Sequence, residues 1–136
     1  YRLAIKAPTT QLNAVSYTSS FKSKKVAYKK SKAKKIKLDG QTSNIYTTGE
    51  KTSRWYKISI TSTKKKRILN LGKNTVSGGY KFTIYKNGKK KAIKTIKVTE
   101  NANAKIAKMP KKKGTYYIRI SKLTKKTNGT YEIGYY

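Results

Sequence analysis

Thr115-Tyr116-Tyr117-Ile118-Arg119-Ile120, led in by Gly114, is the stretch that decides the fold. Its apolar residues return every second position, so Tyr116, Ile118 and Ile120 share one face of a strand while Tyr117 and Arg119 share the other. A helix would scatter the same three residues around its cylinder. Aromatic and β-branched side chains suit a pleated, half-buried surface, and Gly114 supplies the turn that precedes it.

The same period repeats in both directions. Upstream, Tyr80–Lys86 sets Tyr80, Phe82 and Ile84 against Lys81, Thr83 and Tyr85, and Arg54–Ile60 sets Tyr56, Ile58 and Ile60 against Trp55, Lys57 and Ser59. Asn87-Gly88 follows the first of these runs, which predicts a two-residue type I′ hairpin with a return strand over residues 92–98. Leu69 and Leu71 face one way in a strand over 67–71, whose following loop closes with Gly78-Gly79. Ile36 and Leu38 form a first short strand ending at Asp39-Gly40, and Ile106 and Met109 lie in a segment halted by Pro110. Downstream, Asn128-Gly129 reads as a turn into a last strand in which Tyr131, Ile133 and Tyr135 share a face. Seven or eight or more short strands, with no segment of helical period among them, predict an all-β, antiparallel β-sandwich with little or no helix. Residues 1–33 lack enough large apolar side chains for a core. They read as a basic Ser/Thr/Lys-rich connector with one strand near 26–28, which leaves 34–136 as the domain.

Trp55-Tyr56-Lys57-Ile58-Ser59-Ile60, Gly79-Tyr80-Lys81-Phe82-Thr83-Ile84-Tyr85 with Asn87-Gly88, Gly114-Thr115-Tyr116-Tyr117-Ile118-Arg119-Ile120 and Gly129-Thr130-Tyr131-Glu132-Ile133 occur in that order. Over residues 34–136 this resembles the bacterial pre-peptidase C-terminal domain family. The resemblance implies a jelly-roll-like sandwich appended to secreted hydrolases, commonly peptidases, and similar in shape to carbohydrate-binding modules. Members that hold calcium do so with clustered Asp and Glu. Here Asp39, Glu50, Glu100 and Glu132 are the only acids and lie far apart in sequence, so no calcium cage is expected.

The chain departs from that family in its charge. Its 35 Lys and Arg, all Lys except Arg2, Arg54, Arg67 and Arg119, give a formal charge of +31. Self-repulsion of that size is relieved by salt or by a polyanion. Lys clusters at 29–35, 64–66, 89–91, 111–113 and 125–126 fall mostly at turns. Solubility and edge protection are the plain explanation of such clusters, but a surface made only for solubility mixes both signs. Lys64, Lys65, Lys66, Lys89, Lys90, Lys91, Lys111, Lys112, Lys113 and Arg119 are therefore the residues expected to contact a polyanion. The dominance of Lys over Arg favours point-charge attraction to a repetitive polymer over bidentate capture of one phosphate. Trp55, Tyr85, Tyr117 and Tyr136 fall on outward faces, where they are either stacking platforms for sugar rings or ordinary cross-strand partners. For Trp55, the size of the indole favours packing in a second layer or under a loop.

Chemistry is narrowly bounded. Without His or Cys the common general bases, thiol nucleophiles, disulfides and thiolate metal sites are absent. No motif supports a Ser–Lys pair, and Gly78-Gly79 precedes a strand where a phosphate cradle would precede a helix. The reading is a non-enzyme with no cofactor, no metal and no membrane span. The chain opens at Tyr1 without Met or signal-like segment, as a piece of a longer, secreted or surface protein would, here of a Gram-positive bacterium. Its expected role is an extracellular module holding an anionic polysaccharide or cell-wall polymer, such as teichoic acid or acidic mucin glycans. The alternative is a spacer or folding aid for a neighbouring catalytic domain in a hydrolase such as a peptidase. Nucleic acid ranks third, because a polycation binds it non-specifically at low salt and no recognition motif is present.

Overall fold

Strands with one apolar face hide that face by packing sheet on sheet. The computed structural model describes residues 25–46, 50 and 52–136. A 3₁₀ turn at Lys30–Lys32 precedes nine strands: β1 (Lys34–Lys35), β2 (Gly40–Tyr46), β3 (Arg54–Ile60), β4 (Ile68–Ser77), β5 (Tyr80–Lys86), β6 (Lys94–Val98), β7 (Ala104–Lys108), β8 (Gly114–Lys122) and β9 (Asn128–Tyr135). One sheet runs β1-β3-β8-β5-β6 and the other β2-β9-β4-β7. Every pairing is antiparallel except that of β1 with β3. The expected antiparallel sandwich is therefore present.

Its core is the predicted one. Tyr56, Ile58 and Ile60 of β3, Tyr116, Ile118 and Ile120 of β8, and Tyr80, Phe82 and Ile84 of β5 are buried together with Leu69 and Leu71 of β4 and Tyr131, Ile133 and Tyr135 of β9. Each large apolar side chain removed from water in this way contributes about 1.5–3 kcal/mol.

Several local expectations are corrected. The strand expected at Ile36 and Leu38 is instead the two-residue β1 just before them, with Ile36 N–H donating to Lys57 C=O at 2.9 Å. A turn through Asp39 follows, at φ 62, where Asp is better tolerated than most residues. The strand after that turn, β2, is absent from the sequence reading because its inward positions include a polar one, the buried Asn44. Around Asn87-Gly88 the chain does turn, with Lys89 N–H donating to Lys86 C=O at 3.0 Å. Only Gly88 has positive φ, however, so the turn is not type I′. The β5–β6 ladder ends at Ile84 opposite Lys94, because Tyr85 and Lys86 pair only with β8. The return strand thus starts two residues later than expected, and Lys89, Lys90 and Lys91 stand out in a long loop.

Near residues 26–28 no strand forms, and a single bond from Trp55 N–H to Ala27 C=O, 2.9 Å long, ties that segment to the edge of β3. Asn128-Gly129 is not the final turn but the start of β9, the turn itself being closed by Thr127 N–H to Thr124 C=O at 3.2 Å. Gly129 is required there by proximity. A Cβ on it would lie 2.4 Å from Asn74 O and 2.5 Å from Thr75 Cα, at φ +144. Both obstacles are backbone, so Gly129→Ala should destabilise the fold by about 3 kcal/mol or more in urea unfolding. A loss below about 1 kcal/mol would show that the β4–β9 ladder yields there.

The end of the sandwich where β3 begins is held by a buried cation. The Arg54 guanidinium lies 3.8 Å from the Tyr46 ring centroid and 5.6 Å from that of Tyr131. Its Nη1 donates to Ile45 C=O at 2.7 Å and to the Tyr131 hydroxyl at 3.3 Å, and Nη2 donates to Glu50 at 3.0 Å. Tyr131 also bonds Tyr56, hydroxyl to hydroxyl, while Tyr80 donates to Gly129 C=O at 2.6 Å. Burial pushes the Tyr46, Tyr56 and Tyr80 phenols far up, so they stay neutral and able to donate.

Candidate functional site

The opposite end carries the charge. Ile60 pairs with Gly114, Lys86 with Tyr116 and Ile68 with Lys108, so the loops β3–β4, β5–β6 and β7–β8 all emerge on the same side. These are the loops that contain the Lys runs at 64–66, 89–91 and 111–113. Between them lies a groove of about 1000 Å³, lined by Lys66, Lys86, Lys89, Lys91, Lys94, Lys108, Lys111 and Lys112, with Ala92, Ile93, Met109, Pro110 and Tyr116 also in its wall.

The loops are anchored from beneath. Met109 N–H donates to Arg67 C=O at 2.9 Å and the Tyr116 hydroxyl donates to Lys112 C=O at 2.8 Å. Lys94 Nζ donates to Lys108 C=O at 2.9 Å across the edge of the sandwich. Met109 and Tyr116 are buried, so a low-dielectric wall backs the ammonium groups and focuses their field outward. Glu50 and Glu100 belong to loops at the far end, and Glu132 lies on the outer face of the four-stranded sheet. No acid lines the groove.

Of the predicted polyanion residues, the structure brings Lys66, Lys89, Lys91, Lys111 and Lys112 into the groove. Lys64, Lys65, Lys90 and Lys113 are exposed on the same three loops, outside its lining. Arg119 lies elsewhere, on the outer face of the five-stranded sheet, where its Nε donates to Ser53 at 3.0 Å. Lys86, Lys94 and Lys108 complete the groove and went unmarked in the sequence. Each is isolated at a strand end, and only the pairing of β5 with β8 and of β4 with β7 reveals the convergence.

The stacking residues divide. Trp55 and Tyr85 meet across β8 with ring centroids 5.7 Å apart, and Arg119 stands 5.8 Å from the Trp55 ring. Lys30 Nζ lies 5.3 Å from the Tyr85 ring and 4.9 Å from the Tyr117 ring. This half-buried cluster uses its π faces on the chain's own cations. Tyr136 is not part of it. It lies on the other sheet, with the far edge of its ring against Gly134. Among the described residues no group of three or more His, Cys, Asp or Glu comes together, and no helix is long and apolar enough to cross a membrane.

No family model matches the chain, and no curated protein matches it. Solved structures do. One is a periplasmic inhibitor of g-type lysozyme from Aeromonas hydrophila, at 11% identity and TM-score 0.49, over 77% of this chain and 98% of that one. Another is the pre-peptidase C-terminal domain of a collagenase from Bacillus anthracis, at 19% identity and TM-score 0.63, over 77% of this chain and 95% of that domain. With its nine strands in two sheets and that match at TM-score 0.63, the chain has the β-sandwich fold of a pre-peptidase C-terminal domain.

Proposed function

We propose that the chain is a non-catalytic accessory module of a longer, secreted protein and that its lysine-rimmed groove holds an anionic glycopolymer, such as the teichoic acid of a cell wall or an acidic mucin glycan. One observation carries this reading: three Lys-bearing loops, far apart in sequence, converge on one groove that no acid lines. Packing like charges together raises the energy of the free protein, and a polymer with regularly spaced phosphates or carboxylates relieves it while releasing its counterions. The Ile93, Met109, Pro110 and Tyr116 wall offers contact to the uncharged parts of such a chain.

A second reading has its own support. The matching solved domain is part of a collagenase, which favours attachment to a catalytic neighbour, a peptidase in particular, and an extracellular setting. In that case the domain serves as a spacer or folding aid and its charge only keeps the parent protein near an acidic surface.

Sedimentation of the protein with Gram-positive cell walls separates the two. Retention on native walls that falls when teichoic acid is stripped, and that weakens as salt shrinks the Debye length from about 10 Å to about 3 Å, is expected for the groove. Failure to bind native walls and acidic mucin glycans alike would leave the spacer reading in its place.

A further inference from the structure

We infer that the outer face of the four-stranded sheet is a second binding site, for a neutral oligosaccharide, independent of the polyanion reading above. Across this face Ser43, Glu132, Gly72 and Ala104 stand in one row of paired positions, a floor of small residues with a single carboxylate. Asn70 and Asn74 flank Gly72 on the same side of β4, and together these residues line a groove of about 310 Å³. That volume lies at the low end of the range of about 300–1000 Å³ found for small-ligand sites.

Among the described residues the Asn70 and Asn74 side-chain amides and the Glu132 carboxylate make no hydrogen bond, whereas the Thr130 hydroxyl, also in the lining, donates to Asn74 C=O at 3.3 Å. The only ion pair among the described residues joins Glu50 to Arg54, which leaves Glu132 unpaired in a chain of charge +31. Lys73 also lines the groove, but its ammonium is directed elsewhere, donating to Thr75 Oγ1 and Glu100 C=O at 3.2 Å each. A carboxylate with flanking amides presents the acceptors and donors that pairs of sugar hydroxyls require. Beside this row, the Tyr136 ring lies against Gly134, in the row that pairs with Asn70, and is 38% exposed. Its exposed part adds aromatic surface beside the groove, outside the lining itself. Charge selects the class of occupant. Glu132 disfavours an anion locally, the field of the whole protein disfavours a cation, and a neutral ligand rich in hydroxyls meets neither penalty.

The site can be filled without breaking the fold. A Cβ at Gly72 would meet nothing closer than 3.6 Å, and a β-branched residue suits a strand, so Gly72→Val places methyl groups in the groove on an intact ladder. The full chain, ¹⁵N-labelled, is titrated with cellohexaose and with chitohexaose and followed by amide resonances. The amides of Asn70, Gly72 and Glu132 should shift with at least one sugar, those of the Lys-bearing loops should not, and the affinity should not change with salt. Gly72→Val and, separately, Asn70→Ala should each weaken binding about tenfold, the equivalent of one lost hydrogen bond. No shift on this face with either sugar, a shift abolished by salt, or undiminished binding by a folded Gly72→Val protein would overturn the inference. Because wall retention is salt-dependent and this binding is not, failure of one assay leaves the other standing.

Discussion

Replacing Lys66, Lys89, Lys91 and Lys112 together by Gln should weaken binding to polyglycerol phosphate about a hundredfold, whereas the same replacement at Lys34, Lys35, Lys125 and Lys126 should weaken it less than about threefold. The first four line the groove; the second four lie on β1 and in the β8–β9 loop, outside it. Both quadruple variants lose the same formal charge, so the comparison isolates placement from total charge. Each exposed charge contact is worth about 0.2–1 kcal/mol, and four acting on one polymer strand sum to a loss on the order of 2–3 kcal/mol, or about two decades. Equal losses in the two variants would mean that net charge alone drives attachment and that the groove has no particular role. Isothermal titration at two salt concentrations reads both results, and the salt dependence should be shallower for the groove variant because fewer counterions are released.

Arg54→Ala should cost about 3–5 kcal/mol in urea unfolding, the range expected when a buried, hydrogen-bonded charge is removed from its partners. Arg54 is 2% exposed, and its guanidinium lies over the Tyr46 ring and beside that of Tyr131. Without it, Ile45 C=O and the Tyr131 hydroxyl lose a donor and the Tyr46 ring loses the cation packed on it. Arg54→Met, which keeps most of the length but no donors, should recover part of the loss, since packing on Tyr46 persists. Glu50→Gln should cost no more than about 1 kcal/mol, because that carboxylate is 36% exposed and its pairing is screened by water. The Arg54 Nε is buried with no hydrogen-bond partner among the described residues, so the network already carries one unsatisfied donor. A loss below about 1 kcal/mol for Arg54→Ala would show that the aromatic cage holds this end without the cation.

Strands in the middle of a sheet were legible because both sides of their ladders are local consequences of period two. Arg54–Ile60 and Tyr80–Lys86 have the bounds read from the sequence, and Tyr116, Ile118 and Ile120 are fully buried. What escaped was decided by partners distant in sequence. β2 is a strand because β9 offers it a ladder, despite the polar Asn44 on its inner side. Gly129 resembles a turn glycine, yet the feature that demands it is the Asn74 carbonyl of another strand. The role of the buried Arg54 was hidden for the same reason, since its partners Tyr46 and Tyr131 come from other strands. For the groove, the Lys runs on three loops were visible as charge, and their meeting point was not.

Between Arg54 and Ile60, β3 spans about 20 Å at 3.3–3.4 Å per residue. The cation–tyrosine knot sits at one limit of that span and the lysine loops at the other, beyond the range of about 7–10 Å within which substitutions usually couple. Changes at the two ends should therefore combine additively. Where Met109, a core residue in one of the three loops, is kept, changes in the charge of those loops leave untouched the stability held at the other end. The sandwich is a chassis whose two ends can be altered separately, one carrying the cation–tyrosine knot and the other the lysine loops.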